Sequence, residues 1–349
     1  YDYPGVTDSI DPRELRDLLA TMPEPSLALS PAIARGITES VAYLGSDAAL
    51  RSIALDPYWP KWDSPWWHLL LLHELGESRQ IPPRAAAALA ASLDALPLHI
   101  FPIHPGDAPP GTDSHRDFAC HCALGCIVPV LAAGGVDIAR TLPWVAPWFL
   151  RYQMADGGLN CDDQAYLRSD ECPSSMVGTI APFEAMLDFG HTAAERAFVT
   201  RAAEFLIGRA RVHGSSTVHN ASERDAAVTW QQPCFPRFYF YDVLRGLAAL
   251  VRWAVASGEV LPRAAVAGAA ELLLKRYPDG IVHIGRNAHA GKTTILPTAD
   301  RTPSPRAPAA SFALLDAAST IGEPSAALTR QWTTTRQGLV RLIDAGRLV

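Results

Sequence analysis

Charge is scarce in this sequence. Only 19% of its 349 residues are charged, and the formal net charge is -6. Without a basic excess, nucleic acid and anionic membrane surfaces are not expected partners. Long uninterrupted apolar runs are missing as well. The nearest, 120–136, is broken by His121, Pro129 and a glycine pair, so it reads as a buried helix and no membrane span is expected. Six cysteines are too few for a disulfide scaffold at this length. Cys120, Cys122 and Cys126 lack the paired CxxC spacing of zinc modules. A helix running through them would place Cys120 and Cys122 on different faces, so neither metal nor cofactor is expected. The stretch GRNAHAGKTT, 285–294, has one residue too many between its first glycine and GKT for a phosphate loop, and Pro297 follows where a helix should start. No leader is recognisable, so a cytoplasmic location is expected, with export after leader removal as the alternative.

What the chain has is apolar material, 48% of it, in helix-like blocks. Pro12 opens 11–21 and Pro31 opens 31–44. An aromatic-rich loop then leads into an apolar helix ending at Gly76, and an alanine-rich helix follows over 84–96. The same order recurs: long polar loop, helix apolar nearly all round, short turn, amphipathic helix. The apolar members are 115–133, 174–189, 236–255 and 309–321; the amphipathic ones are 143–153, 192–211, 262–276 and 324–343. A helix apolar all round must be surrounded by protein, whereas an amphipathic one has a wet face. The expectation is an all-α fold: an α/α toroid of about six hairpins with an inner and an outer ring. The whole of 1–349 is then one domain, with 1–57 completing the ring. The long loops gather at one mouth.

The richest of those loops is 153–179, QMADGGLNCDDQAYLRSDECPSSMVGT. Gly157 and Gly158 interrupt the preceding helix, and Pro173 with Ser174 or Ser175 signals the next. A long polar loop anchored on rigid helices is where functional groups concentrate. Cys161 and Cys172 have three readings here: a disulfide, free buried thiols, or a proton donor and acceptor pair. Ser114-x-x-Asp117 reads as a capping box for 115–133 and places Asp117 one turn before His121. Arg237, Tyr239, Tyr241, Asp242 and Arg245 fall on one helix, with Asp242 and Arg245 as a pair. Trp62 and Trp66, with neighbouring aromatics, suit an apolar chamber whose ring faces stabilise cationic character.

DGGLNCD (156–162), PSSMVGTIAPFEAML (173–187) and FPRFYFYDVLRGLAAL (235–250) together resemble the repeats of bacterial prenyltransferase and squalene-cyclase-like proteins. A weaker copy is PDGIVHI followed by AASFALL, so the resemblance covers 115–321. A narrower stretch is similar to linalool dehydratase-isomerase, another α/α toroid. That family's loop has two cysteines, acidic residues after the first and a small polar residue after the second, as in Cys161, Asp162, Cys172 and Ser174. Its inner-helix histidine is matched by His121. The sequence departs from the toroid enzymes in lacking a D-x-D-D acid, recognisable zinc ligands and a DDxxD motif, since Gln164 and Ala165 follow Asp163.

The resemblance implies a cofactor-free acid–base enzyme for a small apolar, isoprenoid-type substrate, performing dehydration, isomerisation or cyclisation. The expected catalytic residues are Cys161, Cys172, Asp162, His121 and Tyr241. The expected substrate-binding residues are Trp62, Trp66, His115, Asp163, Ser174, Ser175, Arg237 and Tyr239. A homo-oligomer stays open. The competing readings are a non-catalytic toroid that binds an apolar ligand or peptide, and a metal-dependent hydrolase or transferase using His115, His121 and cysteines.

Overall fold

The computed structural model describes residues 10–99, 101, 104, 106–113, 116–209, 217–287, 289, 291–299 and 306–349. Among these the chain is all-α apart from one short antiparallel hairpin, β1 (Thr293–Ile295) with β2 (Arg306–Pro308), in which Thr294 faces Ala307.

Four helices are buried along most of their length: α4 (Pro65–Glu74), α6 (His121–Ala133), α9 (Met176–Phe189) and α12 (Val243–Ser257). They contact one another in chain order, α4 with α6, α6 with α9, and α9 with α12. The α6–α9 contact is the tightest because Gly125 has no side chain. A Cβ there would lie 2.3 Å from the backbone nitrogen of Pro182, so the two backbones meet directly.

The flanking helices each bury one side. They are α5 (Pro83–Asp94), α8 (Val145–Tyr152), α10 (Ala193–Gly208), α13 (Ala267–Arg276) and α15 (Ala326–Asp344). α10 carries a complete capping box from Thr192 and Glu195, which ties down two N–H groups that a helix start leaves unpaired. The chain ends are joined through α1 (Pro12–Thr21), which packs on α15, and through α2 (Pro31–Leu44), which packs on α14 (Ala313–Ala318). Arg336 of α15 is buried and donates to the carbonyls of Leu19 and Met22.

Several boundaries differ from the sequence expectation. α3 (Asp47–Leu55), capped by Ser46, and the short α7 (Ile138–Thr141) and α11 (Ala221–Ala227) were not anticipated. α6 starts at His121 rather than 115, and its N-cap is Cys120. Asp117 therefore precedes the helix, where its carboxylate accepts the Asp113 N–H and its carbonyl accepts the Leu98 N–H. Ser114 lies outside the described residues. α12 starts at Val243 rather than 236. Asp242 is its N-cap, accepting the Arg245 N–H, and 235–241 is an irregular segment in which Phe238 has φ 51.

Candidate active site

Three thiols converge where α6 begins. Cys120 stands outside the helix as its cap, so its sulfur lies beside that of Cys122, 3.3 Å away. The expectation that these residues diverge assumed one helix through both, and the structure corrects it. The third sulfur comes from Cys161 in the 153–175 loop. All three sulfurs lie within 4.8 Å of one another, and the Cys122 N–H donates to Cys161 Sγ at 3.3 Å.

The loop is held in place by its own amide. Asn160 Nδ2 donates to the Pro173 carbonyl at 2.7 Å and to Asn220 Oδ1 at 3.1 Å. Its Oδ1 accepts the Asp162 N–H. Gly157, with φ 92, turns the loop against α10, where a Cβ would meet the Arg201 carbonyl oxygen at 2.1 Å. The stiffness of this frame fixes the position of Cys161 relative to α6.

Cys120 and Cys161 border a hollow of about 210 Å³ walled by Tyr58, Trp59, Trp66, Phe118 and Leu93. Two cations line it, Lys61 and Arg116. Lys61 has its N–H on Thr294 Oγ1 at 2.7 Å, which fastens the aromatic loop to the hairpin. Its ammonium lies 5.2–5.4 Å over the rings of Tyr58, Trp59 and Tyr239, within cation–π range. It is also 3.5 Å from the Tyr239 hydroxyl. At the other side Asp56 and Arg116 form a buried ion pair at 3.1 Å, and Asp56 accepts the N–H groups of Tyr58 and Trp59.

These neighbours push the three thiols apart in acidity. Hydrogen bonds from Cys122 and Cys161 lower the pKa of Cys120 well below the usual thiol value; burial opposes this, and the Ala123 N–H at the helix start assists it. Cys122 and Cys161 are both raised, chiefly by their bonds to Cys120. Within the cluster the surroundings favour proton loss at Cys120 and proton retention at Cys122 and Cys161. Burial lowers the pKa of Lys61, while Cys122 and Cys120 act to keep it charged.

His121 is not part of this hollow. It is fully buried, with Nδ1 accepting from Trp148 Nε1 at 2.8 Å and Nε2 3.1 Å from the Tyr166 hydroxyl. An indole N–H only donates, so the proton of neutral His121 sits on Nε2 and points to Tyr166. Tyr166 in turn accepts the Asn160 N–H and reaches the carbonyls of Tyr152 and Asn160. Both imidazole nitrogens are committed to the frame. Burial pushes the pKa of His121 down to about 4. His121 therefore braces the Asn160 loop through Tyr166 and does not line the hollow where a proton-relay role had been expected.

Other expected site residues also have structural duties. Asp162 is exposed and pairs with His219 Nε2 at 3.0 Å. Asp163 is half-buried at the start of a 3-10 turn, 163–167, away from the hollow. Cys172 is a half-buried free thiol outside the three-sulfur group. Ser174 bonds Asp156, while Ser175 caps α9 and donates to Glu223. Tyr241 is fully buried against the Trp230 ring. Arg237 pairs with Asp242 at 2.7 Å and Arg245 with Glu184 at 2.6 Å, which replaces the expected Asp242–Arg245 pair. Trp66 does line the hollow; Trp62 lies behind it, 4.6 Å from the Trp67 ring, and Tyr239 meets Lys61. His115 lies outside the described residues.

A second hollow of about 270 Å³ sits between α4, α6, α9, α12 and α15. Its charged lining is largely self-satisfied: Glu184 takes Arg245, and Glu74 accepts the N–H groups of Arg237 and Phe238. Paired charges of this kind hold helices together and leave little reactive capacity, so the thiol-lined hollow is the better candidate site.

Comparison with family models, characterised proteins and solved structures finds no match to this chain. The site therefore has to be read from its own residues. Sequence reasoning missed Lys61, Cys120 and Cys122 as site members. A lone lysine within YWPKWD was a usable signal, because a charge inside an aromatic cluster needs a reason to be there.

Proposed function

We propose that the chain is an α/α ring acting as an acid–base enzyme on a small apolar, isoprenoid-type alcohol or alkene. The observation that carries the reading is the juxtaposition of Cys120 and Cys161 on the wall of one aromatic hollow, with surroundings that shift their acidities in opposite directions. Two titratable groups driven apart by their surroundings are how a single site supplies an acid and a base at neutral pH. The successive contacts of α4, α6, α9 and α12, and their shared hollow with α15, support the ring and its single-domain reading. The substrate class rests on the resemblance of the repeats and loop to toroid enzymes.

For a dehydration the steps balance as follows. Cys161 S–H donates its proton to the substrate hydroxyl, the C–O bond breaks and water leaves. The allylic cation is held against the faces of Tyr58, Trp59 and Trp66. Cys120 thiolate removes a proton from the adjacent carbon and the diene forms. A proton passed from Cys120 to Cys161 restores the starting state. Lys61 favours the thiolate by its charge, and the apolar walls limit water. Isomerisation uses the same groups, with water returned at another carbon.

The test is incubation with C10 and C15 allylic alcohols and detection of dienes or rearranged alcohols. The wild type is expected to turn over at least one of them. Cys161→Ala should cost about 10²–10⁴-fold, the contribution of a positioned acid or base, and Cys172→Ala should be near neutral. Full activity in Cys161→Ala contradicts the proposal. Binding without turnover favours the ligand-carrier reading instead.

A further inference from the structure

The same three sulfurs meet a second chemical requirement. Metal–sulfur bonds of about 2.3 Å around one tetrahedral centre place sulfurs roughly 3.8 Å apart. Here the sulfurs span 3.3 Å for Cys120 and Cys122 and lie within 4.8 Å as a group. Two separate segments deliver them: the capped start of α6 and the Asn160-braced loop. The set is therefore assembled by the fold and not by one flexible stretch. The Cys122 N–H already donates to Cys161 Sγ, the kind of backbone support that orients a metal-bound thiolate.

The donor set also selects the cation. It is all sulfur, with no carboxylate in the group, which suits thiophilic ions and disfavours magnesium and calcium. Lys61 completes the charge balance. Three thiolates, one dication and one ammonium sum to zero, and Lys61 lines the same hollow as Cys120 and Cys161. A monovalent ion would leave a buried negative charge. Cys120 and Cys161 both border the hollow, so a coordination position facing it can take water or a small ligand.

The geometry points to a Zn²⁺ site formed by Cys120, Cys122 and Cys161 beneath the aromatic hollow. Coordination uses the sulfurs that the proposed acid–base reaction needs, so zinc silences that reaction. The binding itself does not depend on the substrate assignment.

The experiment uses the full chain, stripped with a chelator and kept reduced without added thiols. Zn²⁺ is titrated against a chromophoric competitor, and free cysteines are then alkylated and mapped by mass spectrometry. One Zn²⁺ per chain is expected, with alkylation of Cys120, Cys122 and Cys161 slowed about 10-fold or more and that of Cys172 unchanged. Cys122→Ser should weaken binding by more than about 100-fold, at least what loss of a supporting contact costs. The inference is overturned if zinc is not retained at stoichiometric level, or if protection falls on other cysteines. It is also overturned if folded Cys122→Ser binds as the wild type does; should that variant not fold, the wild-type protection pattern decides alone. A chain that binds zinc yet converts no alkenol upholds this inference and sinks the substrate proposal. Turnover without zinc binding does the reverse.

Discussion

Asp242→Ala is expected to cost about 3–5 kcal/mol of stability, the usual penalty for removing one partner of a buried ion pair. Asp242 is fully buried, and its carboxylate accepts from three residues at once. Arg237 binds it through two nitrogens at 2.7 and 3.1 Å. The Cys234 N–H and the Arg245 N–H point at it as well, the latter as the cap of α12. Burial acts to raise its pKa, but Arg237 and the two backbone donors outweigh this and hold it below the usual carboxylate value. Removal leaves Arg237, itself buried, without its counter-charge and uncaps α12. Urea unfolding monitored by tryptophan fluorescence reads the loss directly. Asp242→Asn keeps one acceptor for the cap and should lose less. Equal stability of Asp242→Ala and wild type contradicts this assignment.

The second large effect is acid lability with its onset above the carboxylate range. His121 has a folded pKa of about 4 against 6.5 when exposed, and burial pushes His68 down to about 3. Between those values the unfolded chain takes up protons that the folded chain refuses, so stability falls as pH falls. The stabilisation is complete above 6.5 and is lost on descending through the folded pKa. For His121 alone the difference corresponds to about 3 kcal/mol. Glu74 runs the other way, since burial raises its pKa and its protonation favours the folded state in acid. The histidines act at higher pH, so they set the onset. The midpoint of thermal unfolding should begin to drop near pH 6. In His121→Gln the onset should stay near pH 6, because His68 has the same exposed pKa, but the fall should be shallower. A flat profile from pH 7 to 4.5 contradicts the neutral, buried state of both.

How far the sequence foretold this arrangement varies with the physics of each element. The buried helices were legible because Trp66–Leu72, Leu124–Leu131 and Ile180–Met186 are apolar nearly all round, His68 and Glu184 excepted, a pattern that suits a protein-surrounded helix. Ser175, one of the two serines that signalled a helix start, caps α9. Helix starts failed where side chains imitated a cap or a helical face without being one. Asp117 matched a capping box, yet the chain stays irregular until Cys120. In the segment 235–241, Arg237 and Tyr241 stand at a helical spacing, but the backbone is used otherwise. The Phe238 N–H goes to Glu74, and the Phe238 and Phe240 carbonyls go to Arg245.

The site was legible in part for the same reason. Cys161 and Trp66, both singled out in the sequence, border the hollow, whereas Trp62 and Tyr239 do not line it. His121 was misread because its partners, Trp148 and Tyr166, are far from it in sequence, and only tertiary packing brings both to its ring. Cys120 and Cys122 were set aside by a helix-face argument that the late start of α6 removes. Lys61 sits in the hollow because Thr294, 233 residues away, takes its N–H.

The account turns on Cys120 being a thiolate facing the aromatic hollow while Cys122 and Cys161 hold the protons. Timed alkylation of the reduced, metal-free chain with iodoacetamide across pH 5–9, mapped by mass spectrometry, tests this directly. Cys120 is expected to react first and to stay reactive at pH values below the usual thiol range. The account also predicts that Cys126 and Cys234, whose pKa values burial raises to about 12, lag throughout. A Cys120 that reacts no faster than Cys126 at pH 6 contradicts the assignment of the site.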